Sequence, residues 1–122
     1  MNFDWSHYLD IAIELYEQAG SSKRSDAYLR SSISRAYYAT YHKSRQYLKD
    51  KWGIAVSRDT GTHGQVRFEF LKKRQYSIAK KLERMRFDRN KADYNDKFVN
   101  LEERVQINIE RAKQVFSVLS RI

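Results

Sequence analysis

An arginine and a histidine stand seven residues apart in the run Ser34-Arg35-Ala36-Tyr37-Tyr38-Ala39-Thr40-Tyr41-His42. On a helix that spacing is about two turns, so Arg35 and His42 point the same way. Arg offers a planar fork of donors to phosphate oxygens, and His exchanges protons near neutral pH. One helix face therefore holds equipment for gripping a phosphate and moving a proton. The same two side chains can also be ordinary residents of a solvated face. A second polar cluster is Arg89-Asn90-Lys91-Ala92-Asp93-Tyr94. On a helical projection Arg89 and Asp93 fall within about 20° of Leu82 and continue the apolar stripe of Ile78, Leu82 and Met85. A charge on such a stripe is costly unless it is paired or used. An internal Arg89–Asp93 pair, four residues apart, is one reading. An Arg held at a polar cleft near the end of a bundle is the other, and the two are compatible.

The elements that position these residues are helical. Proline is absent and there are only four glycines, which favours long helices. Over residues 3–19, Tyr8, Ile11, Ala12, Leu15, Tyr16 and Ala19 recur at helical spacing, and Gly20 is a natural stop. Over residues 25–51 the stripe is Ile33, Ala36, Tyr37, Thr40, Ser44, Tyr47 and Leu48, ending near Gly53. Residues 53–62 read as a loop. Thr62 then caps a helix carrying Val66, Phe70 and Leu71, with a break near Lys72-Lys73-Arg74-Gln75 before the stripe Ile78, Ala79, Leu82 and Met85 runs toward residue 92. Asn100-Leu101-Glu102-Glu103 has capping-box spacing. It opens a last helix with Leu101, Val105, Asn108, Ala112, Val115, Phe116, Leu119 and Ile122 inward. The expected fold is all-α: an antiparallel bundle of four long helices, one of them open to a break, as a single domain over residues 1–122. On the second helix Arg35 and His42 project about 180–200° from Ile33, turned from the core with Tyr38 and Lys49, and with Arg45 at the edge. Tyr38 and Tyr41 beside these bases read either as half-buried packing or as a surface for a partner.

The net charge of +9 is unevenly spread. Residues 1–20 hold four acids and no Lys or Arg. Residues 21–49 hold seven bases against one acid, and residues 62–91 ten against three. A concentrated basic surface favours polyanions, RNA first among them; a solvated Lys/Arg face is the plainer alternative. The absence of Cys removes disulfides, thiolate metal sites and a Cys nucleophile. His7, His42 and His63 have no metal-ligand spacing, so no metal or other cofactor is expected. His63, near a helix start, reads as a capping or packing residue. Gly61-Thr62-His63-Gly64 is too short for a phosphate loop, and neither a nucleophile elbow nor a helix-turn-helix signature appears. No signal peptide and no run of membrane-spanning length is visible, so a cytoplasmic protein without membrane contact is expected.

Taken in order, Ser34-Arg35-Ala36-Tyr37-Tyr38-Ala39 with His42, Thr62-His63 with Val66, Arg89-Asn90-Lys91-Ala92-Asp93-Tyr94, and Ala112 within the last helix resemble the HEPN superfamily, in particular its small stand-alone members. The resemblance covers roughly residues 5–120. It implies an antiparallel four-helix bundle that dimerises. It implies either a metal-independent endoribonuclease, often the toxin of a toxin–antitoxin pair beside a small nucleotidyltransferase, or an inactive relative that binds RNA or nucleotides. Active relatives use an Arg, a polar residue and then a His, usually in the later helix. Arg89 and Asn90 match the start of that motif, and the His place falls at Tyr94, next to Asp93. Arg35 and His42 satisfy the spacing but sit in the earlier helix, with Ala36 where the polar neighbour would stand. Cleavage would proceed by attack of the ribose 2′-OH on the adjacent phosphate, leaving a 2′,3′-cyclic phosphate. Arg89 or Arg35 would stabilise the phosphate charge and His42 would carry the proton, Tyr94 being a poor base. Tyr38, Arg45, Lys49 and Arg86 are the candidate nucleic-acid contacts.

Overall fold

A chain without proline breaks its helices only where glycine or a polar turn lets the backbone reverse. The computed structural model describes residues 2–57 and 61–122. Among them are five helices and no strand: α1 (Ser6–Ala19), α2 (Ser25–Trp52), α3 (Thr62–Lys72), α4 (Tyr76–Tyr94) and α5 (Leu101–Leu119). The four long ones are α1, α2, α4 and α5. Of the loop expected over 53–62, positions 58–60 lie outside the described residues.

The helix ends show which local signals are used. Gly53 closes α2 with φ 66°, and the N–H groups of Gly53 and Ile54 both donate to the Leu48 carbonyl. Left-handed backbone of this kind suits glycine, which has no Cβ to clash. Gly20 follows α1 at φ −64°, an ordinary right-handed value, so its special freedom is unused there. Asn100 forms no capping box. Its φ of 58° is left-handed and its side chain caps nothing, whereas a capping Asn needs extended backbone to reach the first-turn amides. Thr62 does not cap α3 either. It is the first helical residue, and its hydroxyl accepts from Tyr41 Oη at 2.7 Å.

The break at 72–75 is a reversal, not a kink. Arg74 takes φ 59°, and the amides of Arg74 and Gln75 donate back to Leu71 and Phe70. Arg67 of α3 then faces Glu83 of α4 at 3.3 Å, as the two arms of a helical hairpin require.

Side-chain contacts fix the helix directions. Trp5 meets His42, Tyr8 meets Arg35 and Ala12 meets Ser32, so α1 and α2 are antiparallel. Tyr37 meets Arg89 while Arg30 reaches Ala92, Asn95 and Asp96, so α2 and α4 are antiparallel too. The Arg30 guanidinium thereby satisfies carbonyls at the C-terminal end of α4. By contrast, Tyr41 meets His63 and Trp52 meets Phe70, so α3 runs alongside α2 in the same direction. α2 packs against each of the other four helices. This explains why its expected stripe is buried throughout, and why Leu29, Ser32, Ala39 and Tyr41 are buried as well.

Three residues expected inside are outside. Ile11 is 40%, Leu71 39% and Ile122 43% exposed. Leu71 sits at the reversal and Ile122 beyond the last helical turn, where no neighbouring helix remains to cover them. The apolar core falls into two clusters: α4 gives Met85 to one and Ala92 to the other. Between them lies a buried polar layer of Asp88, Arg89 and Asn108.

Candidate functional site

Arg89 occupies the polar layer with only 8% of its surface exposed. Its Nη1 lies 3.5 Å from Asp93 Oδ2, four residues on, and Asp93 also accepts from the Ser34 hydroxyl. The guanidinium lies 5.4 Å from the ring centroids of both Tyr37 and Tyr38. The internal Arg89–Asp93 pair is present, and the Arg89 Nε is buried with no hydrogen-bond partner; the layer it occupies lies between the two core clusters and not at an end of the bundle. A cation so placed projects positive potential into its surroundings while its own polar capacity stays partly unused.

Tyr37, on which the Arg89 guanidinium packs, also lines an open cleft of about 230 Å³ whose wall includes Tyr41, His63, Arg67, Arg86 and Asn90. Arg86 and Asn90 are exposed, three residues before Arg89 and one after it. Arg86 makes no ion pair among the described residues, whereas Arg67 is engaged by Glu83. Arg86 is therefore the unpaired cation in the cleft wall, while Arg89 reaches the site only through its charge on His63.

Sequence reasoning set His63 aside, and the structure brings it into this cleft. Its Nδ1 is hydrogen-bonded with the Tyr37 hydroxyl, and its ring stacks on Tyr41 with centroids 4.4 Å apart. Burial pushes the His63 imidazole below its ordinary pKa, and the Arg86 and Arg89 charges push the same way. Burial raises the Tyr37 phenol well above its usual value, against the opposing pull of Arg86 and Arg89. At neutral pH the pair is thus a neutral imidazole and a neutral phenol. A phenol can donate to the Nδ1 lone pair or accept from Nδ1–H, so the contact accommodates either tautomer. In the second, Nε2 keeps its lone pair and can take a proton. The signal that could have found His63 was its place one residue inside α3. Its meaning depends on α3 lying parallel to α2, which no periodicity reveals.

The remaining expected residues divide by location. His42 is half-buried, stacked on Trp5 with centroids 4.1 Å apart and planes 15° apart. It lines an adjoining cleft with Trp5, Tyr38, Arg45 and His63. Arg45 Nε donates to the Val56 carbonyl at 2.9 Å. Lys49 is exposed and lines the next cleft along α2, which also includes His42 and Arg45. Arg35 is exposed, as its projection requires, but its guanidinium rests 5.3 Å from the Tyr8 ring on the α1 side. Arg35 and His42 therefore face outward together, yet each is held by a different aromatic residue of the N-terminal region. Tyr94 is 76% exposed and lines none of these clefts. Tyr41 is buried, so of the two tyrosines read as a partner surface only Tyr38 reaches solvent.

Among the described residues, no group of three or more His, Asp or Glu side chains has the arrangement of a metal site, and no helix is long and apolar enough to cross a membrane. Comparisons with protein-family models, with curated proteins and with solved structures find no match to this chain.

Proposed function

We propose that this chain is a HEPN-like bundle that binds RNA phosphate at the His63–Arg86–Asn90 cleft and cleaves the strand there as a metal-independent endoribonuclease. One observation carries this reading: a neutral histidine and an uncommitted arginine share a cleft, and a buried second arginine packs behind Tyr37 in its wall. Arg86 grips a non-bridging phosphate oxygen, and the field of Arg89 favours the charge that builds in the transition state. His63 Nε2 removes the 2′ proton, and the 2′ oxygen forms a bond to phosphorus. The bond to the 5′ oxygen breaks, and that oxygen takes a proton from water. The products are a 2′,3′-cyclic phosphate and a 5′-hydroxyl end. DNA, lacking the 2′-OH, is bound and left intact.

A second reading is favoured by the engagement of Arg89 with Asp93. It is a non-catalytic HEPN module that binds RNA or a nucleotide in the same cleft. In either reading the chain is a cytoplasmic homodimer; the nuclease has a small nucleotidyltransferase as its antitoxin-like partner, and the non-catalytic module pairs with a nucleotidyltransferase or another protein. Exposed Phe87 and Tyr94 on α4 are available to a subunit contact.

Incubation of the purified protein with single-stranded RNA in EDTA separates the readings. Cleavage to cyclic-phosphate ends is expected, falling at least about a hundredfold in His63→Ala and in Arg86→Ala. Binding without any cleavage at high protein concentration selects the non-catalytic module. Cleavage unchanged in both variants removes the residue assignment.

A further inference from the structure

The phosphate cleft does not end at His63. Tyr41 and His63 form one wall of it and also one wall of a second cleft, of about 240 Å³. The two differ in chemistry. The first carries Arg67, Arg86 and Asn90; the second is lined by Trp5, Tyr38 and His42, with Arg45 in its wall. We propose that this aromatic cleft is a nucleobase subsite. It takes the base of a nucleotide whose phosphate lies in the adjoining cationic cleft. The proposal rests on the phosphate reading above and deepens it: the ligand is a single unstacked nucleotide within a strand, not phosphate alone.

The aromatic walls are held before any ligand arrives. Trp5 and His42 lie nearly parallel at 4.1 Å, and Tyr41 meets His42 edge-on at 5.0 Å. Tyr38 is backed by the Arg89 guanidinium at 5.4 Å, which lies at the same distance from Tyr37 and so ties the aromatic wall to the wall of the phosphate cleft. Arg45 is anchored on the Val56 carbonyl, so its guanidinium plane is restrained beside the rings. Restrained π faces and a guanidinium next to a phosphate grip are how single-stranded nucleic acid is held without a base-pair code. Every base has a π face, so such a site tolerates sequence. A base inside a duplex is already stacked on its neighbours, so a paired strand cannot supply one.

The test compares a short single-stranded oligonucleotide with an abasic sugar-phosphate backbone of the same length and charge, both measured by fluorescence anisotropy at one salt concentration. The wild-type chain is expected to bind the base-bearing strand about tenfold more tightly, as one stacked base contributes. Trp5→Leu is expected to remove that difference and to leave abasic binding unchanged. Tyr38→Leu is a second variant in case loss of Trp5 unfolds the start of α1, with folding followed by circular dichroism. Equal wild-type affinity for the two strands overturns the base subsite and leaves the phosphate reading standing. No binding of either strand overturns both. A preference that survives both variants places the base elsewhere and overturns this cleft as its site.

Discussion

At the scale of single residues, His63 gives the sharpest expectation, because its environment acts on its charge from several sides. Tyr37 and Tyr41 of α2 pack on the ring, and Arg86 and Arg89 of α4 supply positive charge. Burial is the leading cause of its lowered pKa, and the two arginines add to it. Above about pH 6.5, the ordinary histidine value, both the folded and the unfolded chain hold this ring neutral and its share of stability is complete. As pH falls through that value the unfolded chain takes up the proton first. Stability then declines until the folded pKa is passed. Urea titrations of the wild type and of His63→Gln at several pH values check this, and the variant is expected to show a shallower loss of stability below pH 6.5. A bound phosphodiester, which keeps its single negative charge throughout this range, favours the imidazolium, so affinity for a single strand is expected to rise on mild acidification in the wild type and not in the variant. Equal pH slopes in the two proteins would falsify the assigned environment of His63. Residue spacing alone disclosed Arg89 and Asp93, because a charge on an apolar stripe violates the helical pattern. It could not disclose His63, whose role comes from contacts between helices far apart in sequence. Nor could it show that Arg89 is buried against Tyr37 while Arg86 stands exposed in the cleft wall.

At the scale of elements, the apolar stripes were legible because period 3.6 is local, and all seven stripe residues named for α2 are buried. The turns were less so. The polar run Lys72-Lys73-Arg74-Gln75 marked an interruption, but its hairpin geometry follows from the left-handed Arg74 and from the fit of α3 beside α2. Asn100 misled because capping-box spacing says nothing about the backbone angle that capping needs. The most deeply buried charge also escaped the pattern. Asp88 is 2% exposed, and its Oδ2 takes hydrogen bonds from Arg104 at 2.6 Å and Asn108 at 2.9 Å, with Arg111 at 3.5 Å. These partners all come from α5, so Asp88 is a charged tie between the last two helices. Removing it leaves Arg104 and Arg111 facing each other, and Asn108 without its acceptor, in the buried polar layer. Asp88→Ala is expected to destabilise the fold by about 3 kcal/mol, the lower end for a broken buried pair, because Arg104 can swing partly into water. Asp88→Asn keeps an acceptor and loses less. Equilibrium denaturation in urea reads both, and an Asp88→Ala midpoint equal to wild type would show that the tie contributes nothing.

At the scale of the whole molecule, the uneven charge acquires a direction. The basic segments identified in the sequence, 21–49 and 62–91, are largely α2 and the α3–α4 hairpin. These elements share a row of clefts. The cleft with Arg86 adjoins the aromatic cleft at His63, and the aromatic cleft adjoins a third at His42 and Arg45, where Lys49 stands. A strand following the row passes Arg86, Arg45 and Lys49 in turn, each able to displace a counterion from a phosphate. For single-stranded RNA long enough to cover the row, two to three neutralised phosphates give a slope of log affinity against log salt of about −1.4 to −2.1. Lys49→Ala is expected to make that slope shallower by about 0.7, the share of one phosphate, by removing the last cation in the row. A mononucleotide, too short to reach from Arg86 to Lys49, should bind the variant and the wild type alike. Anisotropy titrations of the long strand across a range of salt, with the mononucleotide as competitor, read both quantities. If Lys49→Ala weakens the mononucleotide as much as the long strand, the three clefts act as one small site. If it changes neither, strands leave the Arg86 cleft along another face.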